Sequence, residues 1–349
     1  MMDFYIIKIL FFSALAFIFA VLMTPTLTHF LYKYKLGKKI RNGGETPIFS
    51  KLHAHKEGTP TMGGILIWGT TLIFILASSF LANIFPDSIF VHLNFLSRSE
   101  TLLPLGALVA SAIIGLFDDW LDIKGYGSKG GGGLKLRHRL VIYTIIALIG
   151  ALWFYFKLDW TVFHVPFFGN FEIGAWYIPL FIFIIVATSF SVNETDGLDG
   201  LAGGTLLMAF TAYGVIAFAL GRFELATFCG VIIGALLAFL WFNIPPARFY
   251  MGDTGAMGLG VTLGIIAMLT NSALLLIFIG LIFLIESLSV IIQMISKKLR
   301  GKKFFLSSPI HHHFQALGWP ESKIVMRFWV VSALGVAIGL MIFLLDKKF

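Results

Sequence analysis

The sequence predicts an all-α integral membrane protein, about ten transmembrane helices forming one polytopic domain over residues 1–349. Three observations carry that class. Of the 349 residues, 58% are hydrophobic and 13% charged, and the mean hydropathy is +0.90. A soluble domain carries about 25% charged residues. Unbroken apolar runs of about 20 residues recur, the length a helix needs to cross the hydrocarbon core. A transmembrane β-barrel would instead alternate over about ten residues per strand. Finally, Lys and Arg are segregated: 20 of the 26 fall in every second loop.

Hydropathy gives spans at 4–32, 62–85, 101–118, 139–157, 176–192, 202–220, 224–242, 255–270, 273–296 and 324–345. The first, from Phe4 to Tyr32, is too long for a signal-peptide core and lacks a small-residue cleavage site, so it reads as a span. The aromatic-rich segment 158–175 between the fourth and fifth spans is either a hairpin or an interfacial helix. The single cysteine, Cys229, lies inside the seventh span, so no internal disulfide forms. The longest polar stretches are 33–61, 120–138 and 297–323, and no internal repeat is visible.

Charge orients these spans. Only Lys8, Arg98, Lys157, Arg222, Lys347 and Lys348 fall on the basic-poor side. The positive-inside rule puts the basic loops in the cytoplasm and both termini outward, which requires an even number of spans. The net charge of +8 therefore reads as topology and attraction to anionic lipid head groups and phosphates. It gives no reason to expect a nucleic-acid partner.

Three acidic clusters end apolar runs on that same side. They are Asp118-Asp119, the stretch Asn193-Glu194-Thr195-Asp196-Gly197-Leu198-Asp199-Gly200, and Gly252-Asp253-Thr254. One such pair alone is as readily a helix end or cap. Carboxylates at a membrane boundary are costly unless a cation meets them, and three clusters on one face suggest a shared cytoplasmic cleft. Asp196 and Asp199 share a face if their stretch is helical. Hard oxygen donors of this kind suit Mg²⁺, which takes one or two carboxylates together with substrate phosphates.

Basic and imidazole groups accompany the acids. Lys56 precedes a glycine-rich entry to the second span, Gly58-Thr59-Pro60-Thr61-Met62-Gly63-Gly64, where backbone N–H groups favour phosphate. Lys124, Lys129, Lys135, Arg137 and Arg139 follow the aspartate pair; most read as positive-inside anchors, and one or two as diphosphate ligands. His311-His312-His313, in the last loop of this side, lack the spread of a zinc site and suit hydrogen bonding to an anion or proton movement. Glu286, Ser289 and Gln293 lie on one face of the ninth span, where polar groups more often join helices than touch a ligand.

In this order and spacing the motifs resemble the phospho-N-acetylmuramoyl-pentapeptide-transferases, within the polyprenyl-phosphate N-acetylhexosamine-1-phosphate transferases. The motifs are Lys56 with Gly58 to Gly64, Asp118-Asp119, Asn193 with Thr195 to Gly200, Asn243 to Gly255, and Pro309-Ile310-His311-His312-His313-Phe314. The resemblance covers essentially the whole chain. It implies transfer of phospho-MurNAc-pentapeptide from UDP-MurNAc-pentapeptide to undecaprenyl phosphate, releasing UMP and forming lipid I. It also implies a requirement for Mg²⁺, a multi-pass protein of the bacterial cytoplasmic (inner) membrane with its active site toward the cytoplasm, and commonly a homodimer.

Carried onto matching positions, the resemblance implies roles. Asp253 would bind Mg²⁺, with Asp118 and Asp119 beside it. Asp118 would orient or deprotonate the lipid phosphate, and Asp119 would support the metal or a lysine. His312 joins these three aspartates as a catalytic candidate. Lys56, Thr61 and Lys135 would contact diphosphate or nucleotide. Asn193 and Asp196 would line the nucleotide and diphosphate site, Asp199 the uridine side, and His311, His312 and His313 the donor phosphate or sugar. Direct attack by the lipid phosphate and a two-step route through a phosphorylated aspartate both stay open.

The chain departs from the family's pattern at three positions. Asp122 stands where a lysine is common, Glu194 where an apolar residue is expected, and Gln315 where glutamate is usual. Asp122 points toward sister transferases that use UDP-GlcNAc or a related UDP-sugar, and the histidine triplet points away from them. Two other classes compete: an ion-coupled transporter, which would place acids near the midplane of repeated broken helices, and a membrane scaffold, which would tolerate substitution of the acids.

Overall fold

In the computed structural model, which describes residues 2–37, 58–98, 100–126 and 133–347, the chain is a helical bundle carrying one small hairpin. It opens with α1 (Met2–Lys33), α2 (Ile65–Ile84), the short α3 (Phe90–Leu93), α4 (Leu102–Lys124) and α5 (Leu136–Lys157). The strands β1 (Val162–Val165) and β2 (Gly169–Glu172) follow. Next come α6 (Tyr177–Thr195), α7 (Leu201–Ala219), α8 (Phe223–Asn243), α9 (Gly252–Leu269), α10 (Leu276–Ile279) and α11 (Leu281–Arg300). The last two helices are α12 (Ile310–Ala316) and α13 (Glu321–Asp346). Among the described residues nine helices are long and apolar enough to cross a membrane, and a bent pair makes a tenth.

The bundle is built around α9. Its most apolar stretch is wholly buried, against α4 on one side and α6 on the other. A glycine, alanine or threonine in every turn lets neighbouring helices approach, which is how helices associate where lipid gives no hydrophobic drive. The outer helices α1 and α13 leave long apolar rows exposed, among them Ile7, Leu10, Ile18 and Leu22 on α1. Such a surface is at home in hydrocarbon.

Two of the expected spans need correction. The run 101–118 does not end at the aspartate pair: α4 continues to Lys124, and both aspartates are buried inside it. The run 273–296 is not one straight span. A 3₁₀ turn (Ala273–Leu275) with α10 meets α11 at Gly280, and the two arms are bent by 85°. The physical reason lies in α11, whose faces are reversed. It buries Glu286, Ser289, Gln293 and Ser296 and exposes Leu288, Ile291, Ile292, Ile295 and Leu299. The polar stripe is turned toward groups that need it. Gln293 Oε1 accepts the N–H groups of Phe304 and Phe305, both at 2.9 Å, and Ser296 donates to Lys302 O at 2.9 Å.

Segment 158–175 resolves as the hairpin. The strands pair antiparallel, Val162 opposite Glu172 and Val165 opposite Gly169. His164 Nε2 lies 2.6 Å from Asp346 Oδ2, tying the hairpin to the end of α13. The start of α1, the α7–α8 connection and the end of α13 share this face. Tyr5 stacks on Phe223, and Lys347 donates to Ala219 O. The glycine-rich entry to α2, the end of α4, the start of α5 and the 193–200 stretch meet at the opposite face, as alternating loops require.

Lys8 is a structural group of the face that carries the hairpin. Buried at 3% exposure, it donates to His92 O at 2.9 Å and Asn94 O at 2.8 Å. Lys8→Met strands both carbonyls, so thermal unfolding should report a loss of about 1–3 kcal/mol, with turnover at the far face unchanged.

Candidate active site

The end of α6 organises the site. After Thr195 the helix stops, and Asp196 to Gly200 form a turn before α7. The shared helical face expected for Asp196 and Asp199 is therefore absent. Asn193, Asp199 and Gly200 reach instead to other elements. Asn193 Nδ2 donates to Asp253 Oδ1 at 2.6 Å, on the first turn of α9. Asp199 accepts the Ala247 N–H at 3.0 Å, and its own N–H donates to Glu321 Oε1 at 2.7 Å. The Gly200 N–H donates to Asn243 Oδ1 at 2.9 Å, and its carbonyl accepts the Trp329 indole N–H at 3.1 Å.

On one side of this turn lies an acidic corner centred on Arg139, in the first turn of α5. Its Nη1 donates to Asn193 Oδ1 at 2.9 Å and its Nη2 to Asp253 Oδ2 at 2.8 Å. Its Nε stands 2.7 Å from Asp118 Oδ2, and Asp118 is fully buried. The other oxygen, Asp118 Oδ1, accepts the Leu134 N–H. One guanidinium thus bridges two carboxylates brought from α4 and α9. Lys135 is exposed at the N-cap of α5, one turn away. Sequence reasoning took Lys135, with Lys56 and Thr61, as a contact to diphosphate or nucleotide, and gave Arg139 no individual role among the five basic residues of this loop. The available signal was that Arg139 and Tyr143 fall on one face of α5.

Asp119 has a different use. Its Oδ1 accepts the N–H of Asp253 and its Oδ2 the N–H of Thr254, both at 3.0 Å, so it caps α9 from another helix. Thr61 Oγ1 adds a longer contact to Oδ1, at 3.4 Å. Gly252 begins α9 at φ +72°, and a Cβ there would lie 2.5 Å from Asp119 Oδ2. Only glycine lets the carboxylate reach the helix start. Among the described residues, no three His, Cys, Asp or Glu side chains converge on one point as metal ligands. The carboxylates that face a common cation are Asp118 and Asp253, and Asp119 is committed to backbone.

The histidines form the other corner. His311 and His312 are buried on α12, and the His311 ring lies against Gly197, where a Cβ would meet Nε2 at 2.2 Å. Glu286, fully buried on α11, places Oε2 3.0 Å from His311 Nδ1. His312 Nδ1 lies 2.8 Å from Gln315 Oε1, and His313 Nδ1 accepts the Leu306 N–H at 3.2 Å. Tyr250 borders the same turn; burial pushes its phenol up to about 12, opposed by a hydrogen bond with Thr59, so it stays protonated at neutral pH. Lys56 lies outside the described residues.

The Asp119 cap and the Arg139 guanidinium make separable predictions. Asp119→Asn keeps the shape but can accept only one of the two N–H groups. It should lower the stability of the metal-free protein by about 1–2 kcal/mol in thermal unfolding; an unchanged midpoint would remove its capping role. Arg139→Met leaves two carboxylates facing each other, and a loss of about 3 kcal/mol or more is expected, with turnover reduced in parallel.

Comparison with known proteins agrees with this arrangement. Residues 101–271, which hold both aspartate clusters, Arg139 and the 193–200 turn, match the glycosyl transferase family 4 model. Residues 56–67 match phospho-N-acetylmuramoyl-pentapeptide-transferase signature 1. Three proteins named phospho-N-acetylmuramoyl-pentapeptide-transferase align over most of the chain. That of Clostridium novyi is 40% identical over 326 residues, covering 93% of each chain. That of Anoxybacillus flavithermus is 39% identical over 337 residues, covering 96% of this chain and 97% of its own. That of Chloroflexus aggregans is 38% identical over 341 residues, covering 94% of this chain and 87% of its own. With likeness of this depth over nearly its full length, the chain belongs to the phospho-N-acetylmuramoyl-pentapeptide-transferase family.

Proposed function

We propose that this protein transfers phospho-MurNAc-pentapeptide from UDP-MurNAc-pentapeptide to undecaprenyl phosphate, giving lipid I and UMP. The observation that carries the reading is one cluster, at one end of the bundle, that joins Asp118, Asp253, Arg139 and Asn193, with His311 packed on Gly197 of the adjoining turn. A soluble nucleotide donor and a lipid acceptor must meet at a membrane surface, and this cluster lies where the polar loops of one face converge.

In the reaction an oxygen of the lipid phosphate forms a bond to the sugar-bearing phosphorus of the donor. The bond from that phosphorus to the bridging oxygen breaks, and UMP leaves with the electron pair. Such a step depends on positioning and charge neutralisation more than on covalent help. Asp118 is held at both oxygens, by Leu134 N–H and by Arg139, which supports an orienting role and direct attack. Arg139 would meet the donor diphosphate when substrate competes for it. Asn193, Asp196 and Asp199 would line the nucleotide side, and Thr61 the diphosphate side. The donor set of Asp118 and Asp253, two hard carboxylates, fits Mg²⁺ completed by substrate phosphates, and these two residues would hold it. When bound, the ion supplies positive charge to the diphosphate oxygens.

The 20-to-6 division of Lys and Arg supports a cytoplasmic site in a bacterial inner-membrane protein. The homodimer rests on the family resemblance.

UMP release by the purified protein tests the reading, with undecaprenyl phosphate, Mg²⁺ and either UDP-MurNAc-pentapeptide or UDP-GlcNAc as donor. Turnover is expected only with the muramoyl donor, and Asp253→Asn should abolish it. Turnover only with UDP-GlcNAc would move the protein to the sister enzymes.

A further inference from the structure

Three adjacent histidines look interchangeable in sequence, and their surroundings make them different. His311 Nδ1 faces a carboxylate, Glu286 Oε2, at 3.0 Å. His312 Nδ1 faces an amide oxygen, Gln315 Oε1, at 2.8 Å. His313 Nδ1 faces a donor, the Leu306 N–H, at 3.2 Å. An imidazole nitrogen opposite an acceptor must carry its proton, and one opposite an N–H must not. His312 therefore holds the proton on Nδ1 and turns Nε2 to its other surroundings. His313 holds it on Nε2.

We infer that Gln315 is a positioning residue for His312: its amide oxygen, a neutral acceptor, fixes the Nδ1–H tautomer. The inference rests on the transferase reading for its kinetic consequence. The two rings stand side by side, centroids 4.1 Å apart, and both residues are buried. Beside a carboxylate, an imidazole gains from becoming imidazolium; beside an amide oxygen it gains much less. His312 is thus kept with Nε2 as its accepting nitrogen. A neutral ring suits proton exchange with a phosphate or hydroxyl.

Two substitutions at Gln315 separate its acceptor from its packing. The elements packed on it are α11, α13 and the 193–200 turn. Their titratable and charged groups at this corner are Glu286, Asp196, Asp199, Glu321, Lys323 and Arg327. All are common to the variants below, so any difference isolates the group at 315. Gln315→Glu keeps shape and acceptor and adds charge. Gln315→Leu keeps volume and removes the acceptor.

Two measurements decide the matter. Histidine-selective ¹⁵N NMR of the whole chain in lipid nanodiscs, at about pH 8 and with His312→Asn for assignment, reads the tautomer without turnover. The expected ring has Nδ1 protonated and Nε2 bare; a ring protonated only at Nε2 overturns the inference. The second is the pH profile of UMP release from the muramoyl donor. Gln315→Glu should move its His312-dependent limb up by about one pH unit. Gln315→Leu should lower kcat about tenfold with the limb in place. An unmoved limb in Gln315→Glu, or equal losses in both variants, assigns Gln315 to packing and overturns the inference. A wild-type chain inactive on this donor would sink the transferase reading, and the NMR result would still decide the tautomer.

Discussion

The structure depends on satisfying one polar turn at the end of a buried helix. Asn193 to Gly200 close α6 where the bundle meets its polar face, and an unpaired group there costs what a lost hydrogen bond costs. The solution is to let Asn193, Asp199 and Gly200 each hold other parts of the chain. Asn193 holds α9 and α5, Asp199 holds the α8–α9 connection and α13, and Gly200 holds the ends of α8 and α13. Gly197 leaves the gap into which His311 fits. Stability and function thereby draw on the same contacts.

Charge balance imposes the second requirement. Two carboxylates buried together repel and lose hydration, and neither is tolerable alone. Arg139 answers both, since a guanidinium reaches two acids and an amide at once, which an ammonium cannot do with fixed geometry. Asp119 is neutralised by other means. It sits on the positive end of α9, accepting two N–H groups the helix cannot use. That cap lets a wholly buried helix begin inside the site and carry Asp253 at its first turn.

The broken ninth span follows the same logic. A straight helix over 273–296 would point its polar stripe into lipid or leave the 301–313 loop without partners. The bend at Gly280 swings α11 so that Gln293 and Ser296 bind that loop and Glu286 meets His311. The loop then delivers α12 to the turn after α6. A bend far from the chemistry is what brings the histidines to it.

The sequence by itself determined the class, the spans, the alternation of loops and the list of chemical groups. Apolar length and charge distribution follow from the bilayer, and they act locally along the chain. The motifs carrying Asp118, Asp253, Asn193 and the histidines were legible for the same reason, as polar residues where apolar runs stop. Only the tertiary structure decided which group met which. It gave Asp119 to the α9 backbone, chose Arg139 over Lys135 for the acids, and set a different partner against each histidine. Those choices depend on helix rotation, on where α4 really ends and on a bend at one glycine. A pairing between residues 54 or 114 positions apart, as Arg139 makes with Asn193 and Asp253, has no local signature, because it exists only once the helices have packed.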